Sequence, residues 1–456
     1  MGFERLATNF IFGLGGLSLI VPTIFLIVCI FIQKKSEDSK KTRNGLLFLI
    51  AILIIGPSLL VLSEDSDFIP LPSFRYLNAI NPFLTTADPL VDSVAEHATT
   101  TITQSFLFHS VLMIFGGLGI WLILRTSQKY KFIQNDMISF SLIIGLTGVY
   151  ISSSFVRLEV FAAFCIIILA SLSLSILTKE FISKTYDQNK FKTFSLKSSY
   201  VIGIIILLTL PLTFSNPNPV DAVAYPATIL NGGTGFQIST NDWNDTLEWI
   251  KNNTPKDSVV ASWWDYGYWI QTKADRATLA DNSTVHTWII EEIAKILLNH
   301  PDESNQTLKE MGADYFVVFI SGQRTEYLSS DNQPLYALGG GGDESKKQWF
   351  MIIADEPLSK HVHVDGTSGT DHFWNETLLG KMIPFSVVGY INPNTTEQSS
   401  TFQPGFVPLY ERNVKFANDD QPFKLVYSSP SFDNENTGPI LGVFVYEINK
   451  DFVPLN

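Results

Sequence analysis

The 456-residue chain has only two cysteines, Cys29 and Cys165, and both lie inside apolar runs. A disulfide scaffold and a cysteine-based zinc site are therefore excluded, and the two side chains are expected to pack. Glycine-rich stretches occur at 231–235 and 339–342, but neither is followed by the Lys-Ser or Lys-Thr of a phosphate-binding loop.

Basic residues are also scarce: the 31 Lys/Arg are outnumbered by 44 Asp/Glu, which gives a net charge of -13. An acidic surface repels phosphate, so nucleic acid is excluded as a partner. The imbalance lies in the second half of the chain. Residues 1–214 hold 16 Lys/Arg and 13 Asp/Glu, whereas residues 215–456 hold 15 and 31.

Hydrophobic residues, by contrast, make up 46% of the chain, which is high for a soluble protein. Apolar runs near the length needed to cross a bilayer predict six membrane spans. They lie at about residues 9–33, 45–63, 104–124, 137–154, 158–178 and 200–214. The predicted fold is a polytopic α-helical membrane domain of six spans over residues 1–214, followed by a mixed α/β globular domain over residues 215–456.

Thirteen Lys/Arg lie in the loops after the first, third and fifth spans. By the positive-inside rule these loops face the cytoplasm. The loop 64–103, the connection 152–157 and the globular domain are then extracellular, on a protein of the cell membrane. Arg157 and Glu159 fall at the mouth of a span, where such charges either snorkel to the interface or contact a charged ligand.

The globular domain is predicted to begin near residue 215, where Asn-Pro-Asn-Pro interrupts helix formation. Helical periodicity and β-branched runs predict a series of elements beyond this linker. Helices are predicted at 242–253, 283–298, 346–353 and 374–382, and strands at 258–261, 315–320, 424–428 and 442–447.

The most unusual string in the chain runs from Ser262 to Trp269 and crowds aromatic residues around Asp265. One interpretation is a core turn in which the tryptophans only pack. The other is a strand-to-helix turn that exposes an acid among indole N–H donors, where it could accept a proton from a Ser or Thr hydroxyl.

These residues resemble the catalytic subunit of oligosaccharyltransferase in its archaeal form, a dolichyl-phosphooligosaccharide-protein glycotransferase of the GT-C type. The resemblance covers the C-terminal part of such proteins. Its signature WWDYG is intact, and four other stretches follow the order of the family. The matching stretches are Ser93–His97 (an SVSE-like motif), Phe155–Leu158, Trp263–Gly267, Leu279–Thr284 and Asp343–Lys346 (a DxxK motif, with Phe350 where the family has Met or Ile).

The resemblance implies transfer of a lipid-linked oligosaccharide to the Asn of Asn-x-Ser/Thr segments in acceptor proteins. It implies that Glu96 is catalytic, accepting from the acceptor amide, and also binds a divalent metal. Mn²⁺ or Mg²⁺ is expected from the oxygen ligands. It further implies that Arg157 binds the lipid pyrophosphate, and that four residues bind the Ser/Thr hydroxyl: Trp263, Trp264, Asp265 and Lys346.

Each residue also has a structural interpretation. Glu96 could belong to one solvated acidic face with Asp88 and Asp92, Asp343 could be a helix N-cap, and Lys346 could be plain surface. Two other functions stay open. One is a non-catalytic, membrane-anchored protein that binds sequons or assists assembly. The other is a transporter, although the paired discontinuous spans of that class are missing.

The acidic metal ligands that the family carries ahead of its SVSE loop have no counterpart in residues 1–60. Glu96 alone supplies one carboxylate, whereas a metal that bridges a pyrophosphate needs several oxygen ligands. The chain by itself is therefore expected to bind Mn²⁺ weakly and to transfer no sugar. An N-terminal half chain with the acidic loops is an expected partner.

Overall fold

The computed structural model describes residues 14–41, 43–45, 47–48, 50–51, 54, 89–94, 99–130, 136–184, 190–210, 226–284, 286–433 and 438–454. The chain divides into two compact units. The first comprises residues 1–91 and 95–179, and the second comprises residues 92–94 and 180–456.

The chain before residue 210 is helical wherever long elements are described. Its helices are α1 (Leu14–Lys35), α2 (Pro89–Asp92), α3 (Ile102–His109), α4 (Val111–Tyr130), α5 (Asp136–Ser152), α6 (Glu159–Lys184) and α7 (Lys190–Thr209), with a 3-10 turn at Val156–Leu158.

Two of the described helical segments, Val156–Ile182 and Lys192–Thr209, are long and apolar enough to cross a membrane. Shorter apolar helices run over Val111–Ile123 and Leu142–Ser152. These four segments overlap the last four predicted spans, although Lys192–Thr209 begins eight residues before the span predicted at 200–214, and α1 overlaps the first. Most of the second predicted span, 45–63, lies outside the described residues. The number of six spans stays a prediction.

A mixed nine-stranded sheet organises the described part of the second unit, in the order β2-β1-β3-β4-β7-β5-β6, with β9 between β3 and β8. β1 runs parallel to β2 and β3, and the other pairs are antiparallel. The strands are β1 (Val259–Ser262), β2 (Ala277–Thr278), β3 (Tyr315–Leu328), β4 (Pro334–Leu338), β5 (Phe385–Ile391), β6 (Gln398–Ser399), β7 (Val407–Arg412), β8 (Phe423–Ser428) and β9 (Pro439–Ile448).

Helices pack around this sheet and confirm the mixed α/β class of the domain. The helices are α8 (Thr228–Asn231), α9 (Asp242–Asn253), α10 (Gly267–Trp269), α11 (Thr287–Leu298), α12 (Pro301–Glu310), α13 (Asp343–Ile353), α14 (Leu358–His361), α15 (Asp371–Glu376), α16 (Leu378–Met382) and α17 (Pro430–Asp433).

Each predicted element of this domain has a counterpart in the structure, but several bounds differ: the helix predicted at 283–298 begins at Thr287, and the strands predicted at 315–320 and 442–447 are longer, at Tyr315–Leu328 and Pro439–Ile448. The helix predicted at 346–353 begins three residues earlier, at Asp343, and the helix predicted at 374–382 is two short helices. The break falls at Thr377, whose hydroxyl caps α16 by accepting from the Gly380 amide and whose extended backbone interrupts the helix. Five strands, β2 and β4 to β7, had no counterpart in the predicted series.

Helix α9 forms because its apolar residues recur on one face. Trp243, Leu247 and Ile250 are all at most 1% exposed, at the spacing of an amphipathic helix. The helix ends before Pro255, which disfavours a helical conformation in the preceding residue. Trp243 then contacts Tyr266, Trp269 and Phe319, so α9 supports the turn that follows β1.

The C-terminal end of α9 is held by a buried arginine, Arg276, which is 5% exposed. Its guanidinium donates to the carbonyl oxygens of Lys251 and Thr254, both at 2.7 Å, and to the Thr254 hydroxyl at 2.8 Å. It also donates to the carbonyls of Ala274 and Asp275. The five N–H donors of the planar guanidinium can serve all five of these bonds. One side chain therefore ties the end of α9 to Ala274 and Asp275, which follow the WWDYG residues in sequence.

Arg276→Lys should lower the free energy of unfolding by about 2–4 kcal/mol, because an ammonium cannot satisfy all these carbonyls and is itself left buried. Urea unfolding followed by tryptophan fluorescence would measure the loss. Arg324→Lys, at a half-buried position on β3, is the matched control and should cost less than about 1 kcal/mol. Equal losses for the two variants would contradict the assignment.

Candidate functional site

The WWDYG residues form the turn that leaves the carboxyl end of β1. Trp264–Tyr266 is a 3-10 turn, followed directly by α10 and a π-helical turn at Ile270–Ala274. β1 pairs in parallel with β3 only as far as Ser262 and Val317. The turn therefore lies just beyond the end of a parallel strand pair, the usual position of sites in parallel sheets.

The two tryptophans of the motif are buried. Trp263 is 3% exposed and Trp264 is 9% exposed, and the Trp263 ring packs edge-on against Phe350, with centroids 4.5 Å apart. The packing interpretation of the indoles is thus correct for most of their surface. Asp265, the next residue, differs because 30% of its side chain is exposed.

Gly267 is required by a close approach of the backbone. A Cβ at this position would lie 2.4 Å from the carbonyl oxygen of Ala280. The Leu279–Thr284 stretch reinforces the same contact, since the Asn282 side chain donates to the Asp265 carbonyl at 3.0 Å and accepts from the Tyr268 amide at 3.2 Å. This stretch therefore fixes the backbone of the turn.

The second half of the site comes from α13, whose start is pressed against β3. Gly342 leaves no room for a side chain there, because a Cβ would lie 2.5 Å from the Ser321 amide nitrogen. Asp343 is the first residue of the helix and is 2% exposed. Its carboxylate accepts from the Phe319 amide at 2.8 Å and from the Tyr266 hydroxyl at 2.7 Å.

Lys346, one turn further along α13, completes the charged group. Its ammonium donates to Asp265 Oδ2 at 2.5 Å and to the Tyr266 hydroxyl oxygen at 3.2 Å. The same nitrogen lies 4.9 Å from the centroid of the Tyr266 ring. Asp343, Tyr266, Lys346 and Asp265 thus form one chain of hydrogen bonds from the core to the surface.

Electrostatics match this order. Burial raises the pKa of Asp343 to about 6, although Lys346 and the bonds from Phe319 and Tyr266 oppose the rise. Burial and the carboxylates of Asp343 and Asp265 raise the pKa of Tyr266 well above its ordinary value. The Tyr266 hydroxyl therefore stays protonated and can donate to Asp343 while it accepts from Lys346.

Two atoms of the site have hydrogen-bonding capacity left. Among the described residues, no donor is bonded to Asp265 Oδ1, and the buried Nε1–H of Trp264 has no acceptor. One acceptor and one donor are what a hydroxyl group needs to be bound through both its hydrogen and its oxygen. Asp265 Oδ1 offers the acceptor of such a pair and Trp264 Nε1–H the donor.

The two other predicted site residues are Glu96 and Arg157. Glu96 lies outside the described residues, as do Ala95 and His97. Arg157 is in the first compact unit, in the 3-10 turn before α6, and its side chain is exposed. Within the described ranges, no group of three or more His, Cys, Asp or Glu side chains could hold a metal ion. No step is therefore assigned to a metal, and Mn²⁺ or Mg²⁺ stays a prediction.

Two structural interpretations from the sequence are wrong. Asp343 does not cap α13, because Gly342 holds that position and the Asp343 side chain points into the core. Lys346 is not plain surface, since its side chain is 23% exposed and paired with Asp265. The roles of Tyr266 and Asn282 had not been predicted, although both residues lie within matching stretches.

Comparisons with known proteins agree with this site. A description of the STT3/PglB/AglB core domain matches residues 256–328, which include the WWDYG turn. The chain is 26% identical over 432 residues to the oligosaccharyltransferase subunit STT3 of Dictyostelium discoideum, covering 91% of this chain and 55% of that protein. For subunit STT3 of Saccharomyces cerevisiae the values are 28% over 278 residues, 59% and 36%.

Two archaeal structures from Archaeoglobus fulgidus are also similar. One is the oligosaccharyltransferase AglB in complex with an inhibitory peptide and a dolichol-phosphate, with a TM-score of 0.47, 14% identity, and coverage of 88% of this chain and 46% of that one. The other is the C-terminal globular domain of an oligosaccharyltransferase, with a TM-score of 0.26, 20% identity, and coverage of 46% and 99%.

These findings define the class first: a chain whose residues 256–328 match the core domain of STT3/PglB/AglB proteins. The particular resemblance to the catalytic subunit of oligosaccharyltransferase, drawn from WWDYG, is confirmed. The chain spans 55% of the length of the Dictyostelium protein and 36% of the length of the Saccharomyces protein. The archaeal form stays a prediction.

The raised pKa of Asp343 predicts a specific pH dependence. A carboxyl whose pKa is higher folded than unfolded stabilises the fold most at low pH, and that contribution is lost as pH rises from about 4 to about 6. Relative to Asp343→Asn, the unfolding free energy should fall by roughly 2–3 kcal/mol across this window and stay level above it. Urea unfolding between pH 4 and 7.5 would measure the difference.

The control for this titration is Asp331→Asn, at an exposed position between β3 and β4. Its difference from the parent protein should not vary across the same pH window. The free energy of unfolding of the parent protein minus that of Asp343→Asn should therefore fall with pH. A difference that is constant, or that rises with pH, would contradict a buried Asp343 carboxyl with a raised pKa.

Proposed function

We propose that this chain is the part of an oligosaccharyltransferase catalytic subunit that binds Asn-x-Ser/Thr segments, and that it serves in the transfer of a lipid-linked oligosaccharide to the Asn. The observation that carries the proposal is the WWDYG turn, in which Lys346 holds the partly exposed Asp265 from one side. The match to the STT3/PglB/AglB core domain supports it.

Recognition of the Ser/Thr hydroxyl follows from the two unpaired atoms of the site. Asp265 Oδ1 would accept from the hydroxyl and Trp264 Nε1–H would donate to its oxygen. A peptide without a hydroxyl would bury both groups unpaired, and sites of this kind discriminate strongly against such ligands. Lys346, bonded to Asp265 Oδ2, would keep the acid oriented.

The transfer would join the amide nitrogen of the acceptor Asn to the anomeric carbon of the sugar and break the bond between that carbon and the phosphate oxygen. The amide nitrogen is a poor nucleophile because its lone pair is delocalised, so a carboxylate must take its proton. We assign that role to Glu96 and assign Arg157 to the departing pyrophosphate, as the resemblance implies. A Mn²⁺ or Mg²⁺ ion near Glu96 belongs to the proposal, because carboxylate and phosphate oxygens suit both ions.

The place of action that fits this reaction is the membrane surface. Two described helices are long and apolar enough to cross a bilayer, and a lipid-linked donor is presented there. We propose a multi-pass protein of the cell membrane whose loop 64–103 and globular domain are extracellular, on the side opposite the thirteen Lys/Arg of the three basic loops.

Asp265→Asn should abolish the preference for a hydroxyl. The parent protein is expected to bind an Asn-x-Thr peptide roughly 5- to 100-fold more tightly than the Asn-x-Val peptide, which has the same shape. The variant should bind the two peptides within about twofold of each other, because an amide loses the charged acceptor and its pair with Lys346. Isothermal titration of both peptides into the full chain would measure this.

The matched control is Asp275→Asn, an exposed acid at the end of the same turn. It should keep the preference for Thr over Val. A parent protein that binds the two peptides equally would sink the proposed recognition.

The proposed topology is tested by chemical labelling. With Cys29 and Cys165 replaced, single cysteines at Ser66 and Ser330 should react with a membrane-impermeant maleimide in intact cells, because both would lie outside. A cysteine at Ser195 should react only after the cells are lysed. Labelling at Ser195 but not at Ser330 in intact cells would reverse the topology.

A further inference from the structure

A buried polar cluster in the first compact unit is not used by the proposed recognition site. Glu159, the first residue of α6, is bonded through both carboxylate oxygens. The Ser105 hydroxyl donates to Oε1 at 2.5 Å, and His109 Nε2 lies 2.5 Å from Oε2. Both partners belong to α3, so the cluster joins the start of α6 to α3.

Glu159 does not snorkel to an interface. Its side chain is 6% exposed and that of His109 is 5% exposed. A buried carboxylate is costly unless it is paired and hydrogen-bonded, and removal of one partner of such a pair is strongly destabilising. Because the side chain is almost fully buried, little of the carboxylate is accessible to a charged ligand either. The cluster is a structural tie between two helices.

A second hydrogen bond holds the other end of the connection between α5 and α6. The Thr100 hydroxyl, two residues before α3, donates to the Ser152 carbonyl at the end of α5 at 2.8 Å. The connection Ser153–Leu158 is therefore fastened at both ends, at Ser152 and at Glu159. The segment that begins α3 is the partner in both bonds.

Packing does not make these ties redundant. The side chains of Ser105, His109 and Glu159 line a cavity of ≈ 320 Å³ in the same unit, together with small and apolar residues that include Gly116, Ala162 and Ile166. Where a cavity adjoins two elements, close packing alone does not fix their separation. The hydrogen bonds to Glu159 then decide where α6 begins relative to α3.

The segment held in this way carries Arg157. The 3-10 turn Val156–Leu158 contains Arg157 and ends next to Glu159, so the Cα atom of Arg157 can lie no more than about 7 Å from that of Glu159. The Arg157 side chain is exposed. A displacement of the start of α6 would therefore move the guanidinium directly.

We propose that Glu159 is a positioning residue for Arg157: clasped by Ser105 and His109, it fixes the turn that presents the guanidinium to the pyrophosphate headgroup of the lipid donor. The inference rests on the proposed function, which assigns the pyrophosphate to Arg157. Glu159 acts through Arg157 and does not touch the ligand.

The test is a double-mutant cycle on the full chain in detergent, with geranylgeranyl pyrophosphate as the probe and geranylgeraniol as its uncharged counterpart. The parent protein should prefer the pyrophosphate, and Arg157→Ala should lower that affinity roughly tenfold. Glu159→Ala should lower it by a similar factor. In the Arg157→Ala background, however, Glu159→Ala should have no further effect, because a positioning residue has nothing left to position.

Conservative variants separate this role from a general loss of structure. Glu159→Gln keeps the shape and one acceptor and one donor for Ser105 and His109, so it should retain most of the affinity. Ser105→Ala, which removes one of the two bonds and leaves the buried acid in place, should give an intermediate loss. Ser173→Ala, at a fully buried position on the same helix α6, should leave the affinity unchanged.

The outcomes distinguish the inference from the function on which it rests. A parent protein that binds the alcohol as well as the pyrophosphate, or an Arg157→Ala variant with full affinity, would overturn the role of Arg157 and the inference with it. If Arg157→Ala loses affinity and Glu159→Ala does not, the inference alone is wrong. It is also wrong if Glu159→Ala weakens binding equally with and without Arg157.

Discussion

The structure of the site depends on one buried carboxylate, that of Asp343. β1 stops pairing with β3 at Val317. The backbone amide of Phe319, two residues further along β3, therefore has no partner in β1. Asp343 accepts from this amide and from the Tyr266 hydroxyl. The end of a strand, the start of α13 and the WWDYG turn therefore meet at a single group, and the raised pKa of Asp343 reflects the cost of burying it.

The residues of the site that lie nearer the surface are positioned by this contact. Tyr266 is fixed between Asp343 and Lys346, and Lys346 in turn holds Asp265. The acid is thus oriented before a ligand arrives, which reduces the entropy lost on binding. Phe350, where the family has a smaller apolar residue, packs against the Trp263 ring. The aromatic substitution is accommodated within the wall of the site.

Much of this architecture could be predicted from the sequence, and the failures have physical causes. Helix α9 was predicted residue for residue, because its apolar spacing and the proline after it are local signals. Strands β2 and β4 to β7 were missed because they give weak local signals: β2 and β6 have two residues each, and β5 has a register shift between Val387 and Gly389. Asp343 was misjudged as a cap because its partners, Phe319 and Tyr266, lie 24 and 77 residues away in sequence. No local pattern shows that a carboxylate points inward.

The central claim is that a hydroxyl binds between Asp265 and the indole N–H of Trp264. Fluorine NMR of the chain labelled with 5-fluorotryptophan tests it most directly, because the signal of Trp264 reports on its own surroundings. The sequence has nine tryptophans, and Trp264→Phe would assign the signal. The account predicts that an Asn-x-Thr peptide shifts the Trp264 signal and that Asn-x-Val does not, while the buried Trp374 signal is unchanged by either. An unmoved Trp264 signal, or an equal shift with both peptides, would contradict it.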